Sequence, residues 1–94
     1  MANPYMELIQ SQWEHISALY NEFADKRPVI LLDVDAGELH AYPFEQIKDI
    51  FDEESRLSLA EQYRRAVATR QMVLIVRDKE NKQTLTYTIK LEDE

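Results

Sequence analysis

The sequence predicts an α+β domain in the order α-β-β-α-α-β-β, with one four-stranded antiparallel sheet made of two hairpins and helices packed on it. Three observations lead there. Apolar residues recur three and four apart through the first quarter, the signature of one helix face. Two aliphatic, β-branched runs, PVILLDV and QMVLIVRD, each lead into turn residues and a second short run. Between these pairs lies a stretch that returns to helical spacing.

The first helix is placed at 4–24. Tyr5, Leu8, Ile9, Trp13, Ile16, Leu19, Tyr20 and Phe23 form its apolar stripe, and Glu7, Gln10, Glu14 and Glu22 lie opposite. Asn3 suits the N-cap and Pro4 the first helical position. Pro28 ends it, because the residue before a proline avoids helical geometry. Trp13, mid-stripe, is expected to be largely buried.

A strand follows at 29–34, a turn at 35–38 and a return strand at 39–42. A two-residue loop at Ala36 and Gly37 would set Val34 opposite Leu39 and Leu32 opposite Ala41, apolar against apolar. Gly37 supplies the positive φ. Pro43 opens a short helix with Phe44, Ile47, Ile50 and Phe51 inward, and the acidic run Asp52, Glu53, Glu54 interrupts it. The next helix is placed at 56–69, with Leu59, Tyr63, Ala66 and Val67 inward. Ser58 and Glu61 stand at capping-box spacing, and Ser55 is an equal candidate for the cap. Arg64, Arg65 and Arg70 near its end suit the helix dipole.

The last quarter reads as a hairpin across KENK, with Asn81 taking the left-handed position. Pairing Asp78 with Lys82 would set Ile75 against Leu85 and Val73 against Tyr87. Met72, Leu74 and Val76 would then share the other face with Thr84, Thr86 and Thr88. The strands at 29–34 and 72–77 are apolar on both faces and belong at the centre. The alternating return strands belong at the edges.

Composition narrows the function classes. The 94 residues read as one domain, 1–94, and 45% hydrophobic content argues against disorder. With 18 acidic against 11 basic residues, the net charge of −7 argues against nucleic-acid binding and against adhesion to anionic membranes. There is no Cys, so disulfides and thiolate metal sites are excluded. With one Gly, phosphate-cradling loops and dinucleotide folds have no backbone to use. The opening residues MANPYMELIQ lack the features of a signal peptide, and no run is long enough to span a membrane, so a cytoplasmic location is expected.

Candidate chemistry concentrates in one place. The stretch VILLDVDAGEL resembles the first motif of the haloacid-dehalogenase phosphatases, over about eleven residues. That resemblance implies Asp33 as nucleophile, Asp35 as acid/base and Mg²⁺ alongside. The sequence departs from the family pattern at Gly37, offers no later lysine or acidic-pair motif in a strand context, and is too short for the doubly wound domain. The same stretch also resembles a calcium-binding loop, but its glycine falls one position early and position twelve is Phe44. Asp33, Asp35, Glu38 and His40 could together hold a divalent ion only weakly, since alternate strand residues point to opposite faces. His15 and His40 have no nucleophile near them in sequence, so no triad can be drawn.

No catalytic, cofactor-binding or metal residue is therefore assigned. Asp33 and Asp35 are expected to flank a turn. The leading expectation is a non-enzymatic protein–protein interaction or regulatory domain, with a homodimer or another protein as partner and no cofactor. The alternatives are a metal-assisted hydrolase using Asp33 and Asp35, and an antitoxin- or inhibitor-like acidic protein that occupies a basic partner. The homodimer follows from an expected surplus of apolar surface: with Ile30, Leu32, Val73 and Ile75 under the helices, Val29, Leu31, Leu74 and Val76 would face away. If the helices at 44–51 and 56–69 cover that second face instead, the surplus disappears.

Overall fold

The computed structural model describes residues 5–47 and 52–91. Two helices, α1 (Met6–Ser11) and α2 (Trp13–Glu22), are followed by a 3-10 turn at Ala24–Lys26. Then come β1 (Val29–Asp33), β2 (Glu38–Tyr42), α3 (Phe44–Ile47), α4 (Glu53–Ala68), β3 (Gln71–Asp78) and β4 (Gln83–Lys90). The strands form one sheet in the order β2-β1-β3-β4.

The sheet is mixed and not wholly antiparallel as the sequence suggests. The hairpins β1–β2 and β3–β4 are antiparallel, but β1 and β3 run parallel, with Ile30 beside Leu74 and Leu32 beside Val76. The reason lies in the connection. A hairpin fixes direction only within itself, whereas the helical crossover from β2 to β3 returns the chain to the end where β1 begins. The doubly apolar runs are the mark of parallel strands covered on both faces. Val29–Leu32 and Met72–Val76 are all buried.

Each face has its own core. Ile30, Leu32, Met72, Leu74 and Val76 pack with Tyr5, Ile9, Ile16 and Tyr20 of the first two helices. Val29, Leu31, Val73 and Ile75 pack with Ile47, Leu59 and Ala66 of α3 and α4. The side chains of β1 and β3 thus divide differently from the expected grouping, because parallel neighbours Ile30 and Leu74 share a face. The helices at 44–47 and 53–68 do cover the second face, so that face supplies no apolar surplus of the kind the sequence suggests.

Both hairpins shift register from expectation. In the first, Leu32 meets Leu39 and Ile30 meets Ala41, leaving a four-residue loop, 34–37. The shift is by two residues, so the apolar side is kept. Gly37 closes the loop at φ 67, and a Cβ there would meet nothing within 4 Å, so only its backbone conformation calls for glycine. In the second hairpin the shift is by one, and every pairing changes face. Leu74 meets Tyr87, Val76 meets Leu85, and Ile75 meets Thr86. Lys82, not Asn81, takes the left-handed position, at φ 55. Thr84, Thr86 and Thr88 therefore lie on the α4 face.

The first helix is interrupted at Gln12, whose φ and ψ are −100° and 5°. The Ser11 hydroxyl donates to the Leu8 carbonyl at 2.8 Å, a local bond that competes with the helical ladder. The stripe still faces the sheet, but its centre is Ile16, fully buried, and not Trp13, which is only half-buried at the rim. Phe23, at the end, is 38% exposed. Asn3, Pro4, Ile50 and Phe51 lie outside the described residues.

Helix α4 starts three residues earlier than expected. Asp52 is its N-cap, in extended geometry, and accepts the Ser55 backbone N–H at 2.8 Å. That bond holds the Asp52 carboxyl below the usual carboxylate range. The acidic run is the first turn of the helix, where the positive dipole end favours it, and not an interruption.

Ile16→Ala removes a fully buried side chain from the core on the α1–α2 face. It should destabilise the domain by about 3 kcal/mol, read as a lowered midpoint in urea with an unchanged m-value. Trp13→Ala, at the rim, should be the milder change.

Candidate functional site

The polar residues gather at the carboxyl end of β1 and β3, where two hairpin loops lie side by side. Asp33 ends β1. Its Oδ1 accepts the Ala36 N–H at 3.4 Å, and its carbonyl accepts the Gly37 N–H at 2.8 Å. Asp35 reaches across to the second loop, where its Oδ2 accepts the Lys79 N–H at 2.7 Å. The Val34 N–H donates to the Arg77 carbonyl at 2.9 Å, tying the same two loops together. Both aspartates of the DVDAG stretch thus hold turns in place.

A second knot sits behind them. Asp78 is 4% exposed, and its carboxylate accepts from the Tyr5 hydroxyl at 2.7 Å and the Asn81 side-chain amide at 2.7 Å. It also accepts the Asn81 backbone N–H at 3.2 Å. These donors, led by Asn81, hold the Asp78 carboxyl below the usual range. The Tyr5 hydroxyl lies 3.0 Å from Gln83 Oε1 as well. Its bond to Asp78, with burial, pushes the phenol up to about 12. The start of the helical layer is thereby pinned to the β3–β4 turn. Sequence reading missed this knot, although an Asp three residues before an Asn at a strand end is a turn signal.

On the α4 face the strand ends form a polar row across the sheet: Glu38, Asp33, Arg77, Thr84. Below it run His40, Leu31, Ile75 and Thr86. His40 Nε2 lies 3.8 Å from Glu38 Oε1, and its ring stacks on Tyr42 at 5.8 Å. So Asp33, Glu38 and His40 share a face while Asp35 is committed elsewhere. Among the described residues no three or more His, Asp or Glu side chains are placed to hold a metal ion. His15 is exposed on α2. Arg65 pairs with Glu61 one turn back at 3.0 Å.

Two clefts open. One, of about 460 Å³, lies between the first half of α4 and the sheet, with Leu31 and Ile75 as floor and Ser58, Gln62, Arg77 and Thr84 as walls. The other, of about 640 Å³, opens at the opposite end of the sheet beside Trp13, Tyr20 and Met72. Arg27 and Arg70, both left-handed at φ 48 and 57, flank it. The Tyr63 hydroxyl donates to the Arg27 carbonyl at 2.7 Å, and burial raises the Tyr20 and Tyr63 phenols against the opposing charge of Arg27.

The sheet edges differ from each other. β2 is five residues long, starts at Glu38 and runs into Pro43. β4 is eight residues long and carries no charge from Gln83 to Ile89. The Leu91 N–H donates to the Arg70 carbonyl at 3.1 Å, continuing the β3–β4 register. Antiparallel bonding alternates along a strand, so Leu85, Tyr87 and Ile89 turn their backbone groups to β3, and Thr84, Thr86 and Thr88 turn theirs outwards.

Two outcomes follow for the phenols. Tyr5 is favoured in its neutral form by folding, so its contribution is complete below the unfolded value near 10 and is lost as pH rises through about 12. Tyr5→Phe should lower the melting temperature at neutral pH and flatten its fall between those limits. The Tyr87 hydroxyl is the one buried side-chain polar atom without a hydrogen-bond partner among the described residues. Tyr87→Phe should therefore stabilise the domain by about 1 kcal/mol in chemical denaturation. No family model, curated protein or solved structure matches this chain.

Proposed function

We propose that the chain is a non-enzymatic interaction domain of the cytoplasm that docks protein by adding an extended strand to the free edge of β4. The observation that carries this reading is the edge itself. Edge strands in proteins that stay apart are short, charged, bulged or covered. β2 has length, charge and a proline against pairing; β4 has none of these over seven consecutive residues. Gln83, Thr84, Leu85 and Thr88 are exposed, so the helices leave the edge open. Main-chain bonds would supply affinity and the alternating Thr and apolar rows selectivity.

The hydrolase alternative draws no support from the geometry. Asp33 and Asp35 accept backbone N–H groups within the loops, and their carboxylates serve different turns. A metal-assisted displacement needs carboxylates that converge on an ion.

Selection of random displayed nonapeptides on the immobilised domain tests the proposal. Extended peptides with alternating apolar residues should be enriched, and Thr86→Pro should abolish their binding. Proline there removes only an outward N–H, which an edge strand tolerates. Peptides that bind Thr86→Pro as well as the parent would overturn edge docking. A rise in melting temperature with Mg²⁺, Zn²⁺ or Ca²⁺ that Asp33→Ala and Asp35→Ala remove would favour the hydrolase instead.

A further inference from the structure

We infer that the strand this edge accepts is β4 of a second copy, so that two chains join antiparallel about a two-fold axis through Tyr87 into one continuous eight-stranded sheet. This rests on the strand-docking reading above and names its partner.

The first argument is charge. A net charge of −7 opposes association of copies in general. Gln83–Ile89 holds no charge, so copies can approach along this strand without bringing like charges together. The second argument is self-complementarity. A two-fold normal to the sheet places like faces together, so residues of equal parity become opposed. With the axis at Tyr87, Leu85 lies opposite Ile89 of the second copy, Tyr87 opposite Tyr87, and Thr86 opposite Thr88. The apolar row on the α1–α2 face then continues unbroken, and Leu85, 36% exposed in the single chain, gains a cover.

The backbone parity agrees. Thr84, Thr86 and Thr88 carry the outward N–H and C=O groups, and they are the positions this register makes into hydrogen-bonded pairs. Moving the axis by one residue to Thr86 also satisfies the backbone. It sets Lys82 against Lys90 of the second copy, however, and like charges directly opposed are unfavourable. The Tyr87 axis sets Lys90 against Thr84.

The register has a direct chemical test, because the chain has no native cysteine. Tyr87 would be a non-hydrogen-bonded pair with itself, its Cα atoms about 4.5 Å apart, within disulfide reach. Sedimentation equilibrium of the full chain from micromolar to millimolar concentration should show a species of twice the 11.1 kDa chain mass. Thr86→Pro should be a monomer with an unchanged circular dichroism spectrum, and Thr88→Lys should weaken association at least tenfold. Tyr87→Cys should oxidise in air to a disulfide-linked dimer and Leu85→Cys should not. A parent chain that stays monomeric throughout overturns the self-pairing while selected peptides can still dock at the edge. A dimer that survives Thr86→Pro overturns it as well. Cross-linking by Thr86→Cys in place of Tyr87→Cys overturns the assigned axis.

Discussion

Everything in this domain hangs on the parallel contact between β1 and β3. Both strands are apolar on both sides, so neither has a face that water can solvate. A pair of that kind is stable only as the middle layer of three. The chain supplies the outer layers from its two helical segments, α1–α2 on one face and α3–α4 on the other. Each flanking strand then needs to cover only one flank of the central pair, and β2 and β4 can be as polar as they are. The two cores do not mix. Ile16 and Tyr20 close one and Leu59 and Ala66 the other, with the sheet between them.

The polar chemistry follows from the same arrangement. Parallel strands finish at the same end of the sheet, and each of these is followed by a hairpin loop. Asp33 and Asp35 at the first loop and Asp78 at the foot of the second are thereby brought to one end, with Asp35 bonded into the neighbouring loop and Asp78 bonded to Tyr5 and Asn81. Carboxylates that look catalytic in a linear sequence serve as acceptors for N–H groups that the turns would otherwise leave without partners. The knot also accounts for the burial of Tyr5: its hydroxyl finds a carboxylate at the end of β3 on the same face of the sheet.

Much of this was legible in the residues. The helix stripe from Tyr5 to Tyr20, the two hairpins and the central position of the two aliphatic runs all follow from periodicity. The turn role of Asp33 and Asp35 followed from Gly37. What was not legible has a common physical source. The direction of β3 relative to β1 is set by a long crossover, which no local pattern encodes. The register of the second hairpin depends on which of Asn81 and Lys82 turns left-handed, and Asn is the better guess on propensity alone. That single residue decides whether the threonines of β4 lie with Leu74 or with Ile75. At the start of α4 the signal was present in Asp52, Glu53 and Glu54, but an acidic run suits a solvated loop as well as a helix dipole.

The crossover also bears on how the chain reaches this state. Both hairpins are local and can close early, each bringing together residues only a few positions apart. Ile30 and Leu74 cannot meet until everything between them has found its place, so the central pairing carries most of the loop-closure entropy. Until it forms, the two most apolar strands of the molecule each lack a neighbour on one side. Folding speed is then governed by the compactness of the α3–α4 segment, and newly made chains are most vulnerable to association before that segment docks.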